Sequence, residues 1–522
     1  MKLSVGRLVV LLLLILAVGA GWSARPADPA NAGRDGTIVA FEEHALTGEY
    51  AGDIDIGAQR LSDDGTMTWN EGKKSAVVSS GKTLERAAVA VPDGVGGLIV
   101  AFEMEAASGE GAGDSDIYAQ RIDADGNMLW NNGEKSTVVA ASKWSEKRPV
   151  IVPDGKGGAI IIFEEYAPAG EYAGDIDVGA QRISPDGKLL WNGGEKSATV
   201  ASSKLLERAS AAIPDGLGGV IVAFEVEART GEEVGDSDIY AQRLDADGKM
   251  VWNGGEKSST VAASKWSEKR PVVISDGARG AIVVFEEHGP AGKFAGDLDV
   301  GAQRISSDGK MMWNDGQKSA SVADSDTLLE RAPAALPDGD GGVIVAFEQE
   351  TRTGEEVGDS DIYAQRLDAN GKRMWNNGEK SSPVAASKWS EKRPVVISDG
   401  AGGAIVAFEE HGPAGKFAGD IDVGIQRISA GGKMLWNEGQ KSASVADSDT
   451  LLERAPTAIP DGAGGAVVAF EQEERTGENA GDSEIFAQRI DSSGKRMWNN
   501  GERSSMVAAS KWSETNPVAV RP

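Results

Sequence analysis

A Trp-Asn pair returns along this chain of 522 residues at a nearly constant interval of 61 or 62 residues. The tryptophans of the eight pairs are Trp69, Trp130, Trp191, Trp252, Trp313, Trp375, Trp436 and Trp498. Eight copies of one unit with so little change in length indicate a repeat protein. A unit of this size cannot bury a core alone, so we expect it to stack on its neighbours.

One unit, from Arg393 to Asp449, illustrates the predicted strands. Turns rich in Asp and Gly separate the first strand from the second and the third from the fourth. The predicted strands are Pro394–Ile397, Ala404–Phe408, Asp420–Ser429 and Lys433–Trp436. Four strands in each of eight units predict an all-β, eight-bladed β-propeller. The alternative, a β-solenoid, has shorter coils and lacks hairpin turns.

The two ends of the repeat region complement each other. The first unit begins with a second strand at Gly36–Phe41, and the sequence ends with a first strand at Asn516–Val520. We expect the C-terminal strand to complete the first blade and close the ring, which would remove exposed sheet edges.

A longer period of about 122 residues is superimposed on the unit, because odd and even units differ. Odd units carry Asp-x-Asp-[IV]-Gly and even units carry Gly-Asp-Ser-[DE]-Ile-[YF]-Ala. The segments between units alternate as well, between Leu-Glu-Arg and Lys-Trp-Ser-Glu. The sequence therefore predicts four pairs of blades in one monomeric ring.

The N-terminus differs from the repeats. Lys2 and Arg7 precede a short apolar run, Leu8–Ala20, that is shorter than the ~20 residues needed to span a bilayer. We interpret residues 1–20 as a signal peptide, 21–32 as a linker and 33–522 as one propeller. The alternative for the first segment is a retained N-terminal anchor. Export would place the protein in the periplasm, at the cell surface or outside the cell, with no membrane span after signal removal.

Composition narrows the classes of partner. The chain has no cysteine, so it forms no disulfide. Its net charge of -28 repels the phosphate backbone of nucleic acids. Such a charge favours solubility and attraction to cations or basic proteins.

The segment Ile239–Trp252 resembles the tryptophan-docking repeat of PQQ-type eight-bladed propellers, which also read as strand, Asp, Gly-Lys turn, apolar pair and Trp. The units also resemble a loose class of secreted bacterial repeats with Asp-Gly-x-Gly-Gly, Asp-Ile-Tyr-Ala-Gln-Arg and Gly-x-x-x-Trp. The resemblance implies a fold. Quinoprotein catalysis would need vicinal cysteines and non-equivalent calcium ligands, whereas these units are nearly identical and lack cysteine.

Strand order places all the long loops at one end of the blades. These are the second-to-third connection, as in His288–Gly296, and the fourth-to-first connection, as in Asn314–Glu330. Second strands of odd units end in Glu-Glu, and their third strands open with paired aspartates. These aspartates are Asp53, Asp55, Asp175, Asp177, Asp297, Asp299, Asp420 and Asp422.

Residues two apart on a strand share a side, so each aspartate pair with a nearby Glu offers oxygen ligands for calcium. The alternative is a structural ladder in which these acids pair with the Arg of Gln-Arg on the third strand, for example Arg304. Calcium is the one cofactor that this pattern suggests.

Other recurrent side chains have both a structural and a binding interpretation. The Trp-Asn tryptophans are predicted to wedge between neighbouring blades. Four more tryptophans lie in the connections after even units and either stack on sugars, anchor a partner or pack the loop: Trp144, Trp266, Trp389 and Trp512. His44, His288 and His411 share one position, but Tyr166 replaces the fourth, which argues against a four-fold metal site.

No nucleophile elbow, phosphate loop or zinc motif stands out, and the regular units argue against a single asymmetric active site. The sequence favours a secreted, multivalent, non-enzymatic propeller that presents its acidic loops to a protein partner. The alternatives are a lectin-like polysaccharide binder, with or without calcium, and a quinoprotein-like or hydrolytic enzyme.

Overall fold

The computed structural model describes residues 36–46, 51–106, 113–168, 174–228, 235–290, 294–352, 358–413, 417–475 and 481–522. The predicted signal peptide and linker lie outside the described residues. Within these ranges the chain is all-β, with 32 strands and eight short 3-10 turns. No helix in the described ranges is long and apolar enough to cross a membrane.

The strands are numbered in chain order. The first eight are β1 (Thr37–His44), β2 (Ile54–Leu61), β3 (Ala76–Ser79), β4 (Thr83–Pro92), β5 (Leu98–Ala106), β6 (Ser115–Ile122), β7 (Thr137–Ala140) and β8 (Ser145–Pro153). The next eight are β9 (Ala159–Tyr166), β10 (Ile176–Ile183), β11 (Ala198–Ala201), β12 (Leu206–Pro214), β13 (Val220–Glu227), β14 (Ser237–Leu244), β15 (Ser259–Ala262) and β16 (Ser267–Ser275). Then follow β17 (Ala281–His288), β18 (Leu298–Ile305), β19 (Ala320–Ala323), β20 (Leu328–Pro337), β21 (Val343–Thr351), β22 (Ser360–Leu367), β23 (Ser382–Ala385) and β24 (Ser390–Ser398). The last eight are β25 (Ala404–His411), β26 (Ile421–Ile428), β27 (Ala443–Ala446), β28 (Leu451–Pro460), β29 (Ala466–Glu474), β30 (Ser483–Ile490), β31 (Ser505–Ala508) and β32 (Ser513–Val520).

The strands form four sheets of eight, and each sheet joins two units of four antiparallel strands. Unit 1 contains β32, β1, β2 and β3, and units 2 to 8 follow as β4–β7 through β28–β31. An odd unit meets the next even unit through a single parallel bridge, as between Ile54 and Leu84. This strand arrangement is that of a β-propeller, and the pairing of units reproduces the longer sequence period.

The C-terminal strand pairs with the first strand of the chain, as predicted. β32 lies antiparallel to β1, with Val520 opposite Ile38 and Ser513 opposite His44. A core cluster combines Phe41 of unit 1 with Val467 and Trp498 of unit 8. The C-terminal strand therefore completes the sheet of unit 1, and a buried apolar cluster joins unit 1 to unit 8.

The fourth strand differs from the prediction. In unit 7, Met434 makes only an isolated bridge to Ile428, and the fourth strand is β27, beyond the tryptophan. Between them lies a 3-10 turn, Trp436–Gly439, in which Asn437 and Glu438 have left-handed φ values of 50° and 56°. Asn tolerates this conformation better than most residues. The predicted long loop Asn314–Glu330 likewise contains a turn, Trp313–Gly316, and strand β19. All eight turns have the same form: Trp69–Gly72, Trp130–Gly133, Trp191–Gly194, Trp252–Gly255, Trp313–Gly316, Trp375–Gly378, Trp436–Gly439 and Trp498–Gly501.

A buried glutamine on the third strand holds each turn. The Gln426 Oε1 atom accepts the backbone N–H of Trp436 at 3.0 Å and of Arg427 at 2.9 Å, and its Nε2 donates to the Lys441 carbonyl at 2.9 Å. The amide therefore satisfies backbone groups that the interrupted strand leaves unpaired.

The recurrent tryptophan packs between units, as predicted. Trp69 is buried, and its indole N–H donates to the Ala124 carbonyl of unit 2 at 2.9 Å. Gly126 of that unit lies on the same ring, where a Cβ atom would come within 2.9 Å of the indole. Only glycine allows this approach with a φ of +89°, which explains the Asp-Gly turn.

The strand ends define two ends of the molecule. The turn end carries the Asp-Gly-x-Gly-Gly and Asp-Gly turns, because Pro92 pairs with Leu98 there. The loop end carries the other two connections, because His44 pairs with Ile54 and β3 returns toward Ile56. The functional candidates from the sequence all lie toward the loop end.

Candidate functional site

Three carboxylates meet at the loop end where unit 1 joins unit 2. The parallel bridge between Ile54 and Leu84 sets Asp53 and Asp55, at the start of β2, beside Glu85 of β4. One oxygen from each of these three residues lies within 4.8 Å of the others. We call Asp53, Asp55 and Glu85 the first acid triad.

The hydrogen bonds of the first acid triad are incomplete. The Glu85 Oε1 atom accepts the Thr83 hydroxyl at 2.7 Å, and Asp55 Oδ1 accepts the Gly81 N–H at 3.2 Å. Asp53 Oδ1 and Glu85 Oε2 are buried and have no hydrogen-bond partner. A buried carboxylate oxygen without a partner is costly, by ~1–3 kcal/mol or more for a charged group.

Burial also disfavours the charges of the triad. Burial, opposed by the Thr83 hydrogen bond and aided by the Asp55 and Asp53 charges, raises the pKa of Glu85 to about 7. Burial raises the pKa of Asp55 to about 6, with Asp53 adding to the effect. A nearby cation would relieve both causes, because it would compensate lost hydration and like-charge repulsion.

The same position recurs at three further junctions. The bridges that build them join Ile176 to Leu206, Leu298 to Leu329 and Ile421 to Leu452. The second, third and fourth acid triads are Asp175, Asp177 and Glu207; Asp297, Asp299 and Glu330; and Asp420, Asp422 and Glu453. Burial is the first cause that raises the pKa of Glu330 to about 8 and of Glu453 to about 9. Among the described residues, the first triad alone brings three such oxygens within 4.8 Å.

Arginines occupy the third and fourth junctions. Arg352 Nη1 lies 3.2 Å from Asp297 Oδ1, and Arg475 Nη1 lies 3.3 Å from Asp420 Oδ1. Each guanidinium also donates to loop carbonyls, as Arg352 does to Ala295 at 3.1 Å. These two triads therefore have a positive charge supplied by the chain itself.

The predicted arginine ladder is wrong. The Arg of Gln-Arg pairs at the turn end with the Asp of Asp-Gly-x-Gly-Gly, as Arg427 does with Asp399 at 3.0 Å. The described pairs are Arg121–Asp93, Arg182–Asp154, Arg243–Asp215, Arg304–Asp276, Arg366–Asp338, Arg427–Asp399 and Arg489–Asp461. The arginine points away from the loop end because its side chain fills the space beside the next turn. The loop-end aspartates therefore receive no charge compensation from these arginines.

The second glutamate of each second strand has separate neighbours. Glu43 lies opposite Asp55 across β1 and β2, and burial followed by the Asp55 charge raises its pKa to about 7. In later odd units the equivalent carboxylate accepts a serine hydroxyl, as Glu287 does from Ser319 at 2.7 Å.

Buried glutamates on the second strands connect successive units, because each accepts a backbone N–H from the first strand of the next unit. Glu42 accepts the N–H of Ala87 in unit 2 at 2.7 Å, and Ala87 has a left-handed φ of 53°. His44 lies 3.0 Å from the other oxygen of Glu42, and Tyr166 donates to Glu164 at the equivalent place. His288 and His411 contact Glu286 and Glu409 in the same way, so each of the three histidines is a hydrogen-bonding partner of one of these glutamates.

The four loop tryptophans lie just before the first strands of odd units, and each is half-buried. Trp266 packs against Phe294 with ring centroids 5.5 Å apart, and Trp389 packs against Phe417 at the same distance. Trp144 and Trp512 occupy the equivalent positions before β8 and β32. The backbone N–H of Trp144 donates to the Ser142 hydroxyl, which fixes the preceding turn.

Sequence reasoning placed the aspartate pairs at the loop end but missed the third carboxylate. Glu85, Glu207, Glu330 and Glu453 belong to the recurrent Leu-Glu-Arg segment, whose spacing from the paired aspartates repeats in each pair of units. That repeated spacing was the signal from which the third carboxylate could have been predicted. The parallel bridge that joins the two segments carries no sequence signature of its own.

Comparison with protein families and with curated proteins finds no match. Several solved structures are similar at low identity. The β-propeller domain of the Trilobed protease from Pyrococcus furiosus is 11% identical, with a TM-score of 0.41 over 80% of this chain and 97% of that one. The polysaccharide lyase Uly1 is 8% identical, with a TM-score of 0.44 over 80% and 93%. A protein of unknown function from Dyadobacter fermentans is 11% identical, with a TM-score of 0.36 over 67% and 96%. None of these likenesses assigns an activity to the chain.

Proposed function

We propose that the eight units form one closed, eight-bladed ring. The first strand of each unit contacts the first strand of the next unit, and the series continues from β28 to β32 and from β32 to β4. Glu471 of unit 8 accepts the N–H of Asn516 in β32 at 2.8 Å, which repeats the contact between Glu42 and Ala87. These contacts support closure of the ring, because unit 8 contacts unit 1 in the same way as each other unit contacts the next one in sequence.

We propose that this ring is an exported, multivalent binding module, and that its loop end receives a protein partner with a basic surface. The observation that carries the proposal is the division of charge between the two ends. The Gln-Arg arginines pair with aspartates at the turn end, as Arg427 does with Asp399. Toward the loop end, arginines such as Arg86 pair with glutamates of the second strands, whereas the buried acids of the triads have raised pKa values. A basic partner would supply the missing positive charge there.

Repetition favours binding over catalysis. Acid triads recur at four junctions, so no single junction concentrates the functional groups. Weak sites on one rigid ring gain avidity when several are engaged together. A partner with regularly spaced basic groups would use this arrangement best.

The test compares two variants that remove the same charge from opposite ends. The loop-end variant carries Asp114→Asn, Asp326→Asn and Asp449→Asn, and the turn-end variant carries Asp64→Asn, Asp186→Asn and Asp308→Asn. All six aspartates are exposed. We expect the loop-end variant to bind immobilised poly-L-lysine more weakly than the wild type and the turn-end variant to bind almost as well. An equal loss in both variants would show attraction by net charge alone and would contradict the proposal.

A second candidate function is polysaccharide binding, which the aromatic pairs at the loop end favour. Trp266 with Phe294 and Trp389 with Phe417 form half-buried aromatic surfaces of a kind that can stack on sugar rings. Soluble polysaccharides that quench indole fluorescence in the wild type, but not in a Trp266→Ala and Trp389→Ala variant, would support it. Unchanged quenching in that variant would count against it.

A further inference from the structure

We propose that Asp53, Asp55 and Glu85 form a site for one calcium ion, and that Arg352 and Arg475 replace such an ion at the third and fourth junctions. The chain would then bind metal unequally, although its repeat is nearly regular. The proposed site ties β2 of unit 1 to β4 of unit 2.

The spacing of the carboxylates suits calcium. Calcium–oxygen distances are ~2.3–2.6 Å, so two ligands on opposite sides of the ion lie roughly 4.6–5.2 Å apart. The three triad oxygens already lie within 4.8 Å of one another. Magnesium requires ~2.0–2.1 Å and near-ideal octahedral geometry, which is a stricter demand on the ligands than calcium makes.

Two buried oxygens of the first triad have no hydrogen bond, and the same holds for the equivalent oxygens of the third and fourth triads; at the first junction no arginine of the described ranges lies beside them. Asp53 is 7% exposed and Glu85 is 0% exposed, and each has one oxygen without a hydrogen bond. Within the described residues, no lysine or arginine nitrogen forms an ion pair with the triad. Lys82, whose charge acts on Asp53, is exposed to solvent. A bound cation would satisfy oxygens that the protein leaves unpaired.

At the third and fourth junctions, an arginine side chain places its positive charge beside the equivalent aspartate. Arg475 Nη1 lies 3.3 Å from Asp420, and its Nη2 donates to the Ala418 carbonyl at 2.8 Å. Arg352 makes the matching contacts with Asp297 and Ala295. The sequence position that corresponds to these arginines is Ala107 in unit 2, and residue 107 lies outside the described ranges. The sequence thus lacks the internal cation in the pair of units that holds the tight triad.

Calcium binding to the full chain tests the proposal directly. After removal of metal with EDTA, isothermal titration calorimetry with calcium chloride is expected to give one ion per chain. Glu85→Gln is expected to weaken this binding at least tenfold. The matched variant Glu330→Gln, which makes the same change at the third junction, is expected to leave the binding unchanged. Circular dichroism of each variant checks that the fold is retained.

Arginine removal tests the second half of the proposal. Arg352→Ala with Arg475→Ala is expected to raise the number of bound calcium ions above that of the wild type. Four ions per wild-type chain, equal effects of Glu85→Gln and Glu330→Gln, or binding of magnesium as tight as calcium would overturn the proposal. Absence of any calcium binding would also overturn this proposal. It would leave the proposed function untouched, because that is tested separately by the binding of the loop-end and turn-end variants to poly-L-lysine.

Discussion

The indole N–H of Trp498 donates to the backbone carbonyl oxygen of Asp63 at 2.8 Å, across 435 residues of sequence. Each of the remaining Trp-Asn tryptophans makes the same hydrogen bond to the following unit, as Trp252 does to the Ser307 carbonyl at 2.9 Å. A Cβ atom on Gly65 would come within 2.6 Å of Trp498, as at the equivalent glycines. The contact between unit 8 and unit 1 therefore repeats the contact between units that are adjacent in sequence.

Closure predicts that Trp498 contributes as much stability as a tryptophan within the chain. Trp498→Phe keeps most of the apolar volume but leaves the Asp63 carbonyl without its donor. We expect a loss of about 1–2 kcal/mol in the free energy of unfolding. Urea denaturation of Trp498→Phe and of the matched Trp252→Phe should give similar losses. A negligible loss for Trp498→Phe alone would indicate that the ring is open in solution.

The close approach of glycine to tryptophan makes a second prediction. Gly126→Ala places a methyl group 2.9 Å from the Trp69 ring at a φ of +89°, so both a clash and backbone strain oppose it. Gly94→Ala introduces a similar backbone strain at a φ of +78° but meets no atom within 4 Å. We expect a loss of ~1–2 kcal/mol for Gly94→Ala from the left-handed backbone. For Gly126→Ala we expect ~1–3 kcal/mol more from the clash. Equal losses in chemical denaturation would contradict the packing of Trp69 against this turn.

The buried glutamates predict a dependence of stability on pH. Burial, aided by the Glu287 and Asp238 charges, raises the pKa of Glu268 to about 8, although the Ser264 hydroxyl donates to this carboxylate at 2.6 Å. Glu391 has a pKa raised to about 8 by burial and by the Glu410 and Asp361 charges. The ordinary value is 4.5, so between these values the folded state binds protons that the unfolded state has released. Their stabilising contribution is therefore complete below the ordinary value and is lost as pH rises through about 8.

Melting in EDTA buffers checks this pH dependence. We expect the melting temperature to fall as pH rises from about 5 to about 8.5. A variant with Glu268→Gln and Glu391→Gln should show a shallower fall, because two of the titrating groups are gone. The exposed change Asp326→Asn serves as the control. A melting temperature that rises with pH over this window in the wild type would contradict the raised pKa values.

The sequence predicted the unit, the turns and the C-terminal strand well, because these features depend on local spacing. The third strand of unit 7, predicted as Asp420–Ser429, spans Ile421–Ile428. The prediction of the fourth strand was wrong, because β27 has only four residues and follows a turn in which Asn437 is left-handed. Apolar residues before the tryptophan matched a strand pattern more clearly than the short strand after it.

The charge partners at the loop end could not be predicted from one unit. Arg427 contacts Asp399 in the turn between β24 and β25, whereas the ladder predicted from the sequence pairs these arginines with the loop-end acids. Glu85 joins Asp53 and Asp55 only because one parallel bridge links β2 to β4 of the next unit. Contacts of this kind depend on the relative placement of units, which repeat spacing alone does not determine.

Thermal unfolding of the full chain with and without calcium tests most directly whether the loop end holds negative charge that a ligand must balance. A ligand that binds only the folded state at 100 times its dissociation constant adds ~2.7 kcal/mol to stability. We predict a saturable rise in melting temperature with calcium after EDTA treatment, a smaller rise with magnesium, and loss of the calcium effect in Glu85→Gln. An unchanged melting temperature in millimolar calcium, or an identical rise in Glu85→Gln, would contradict a cation site at the first junction.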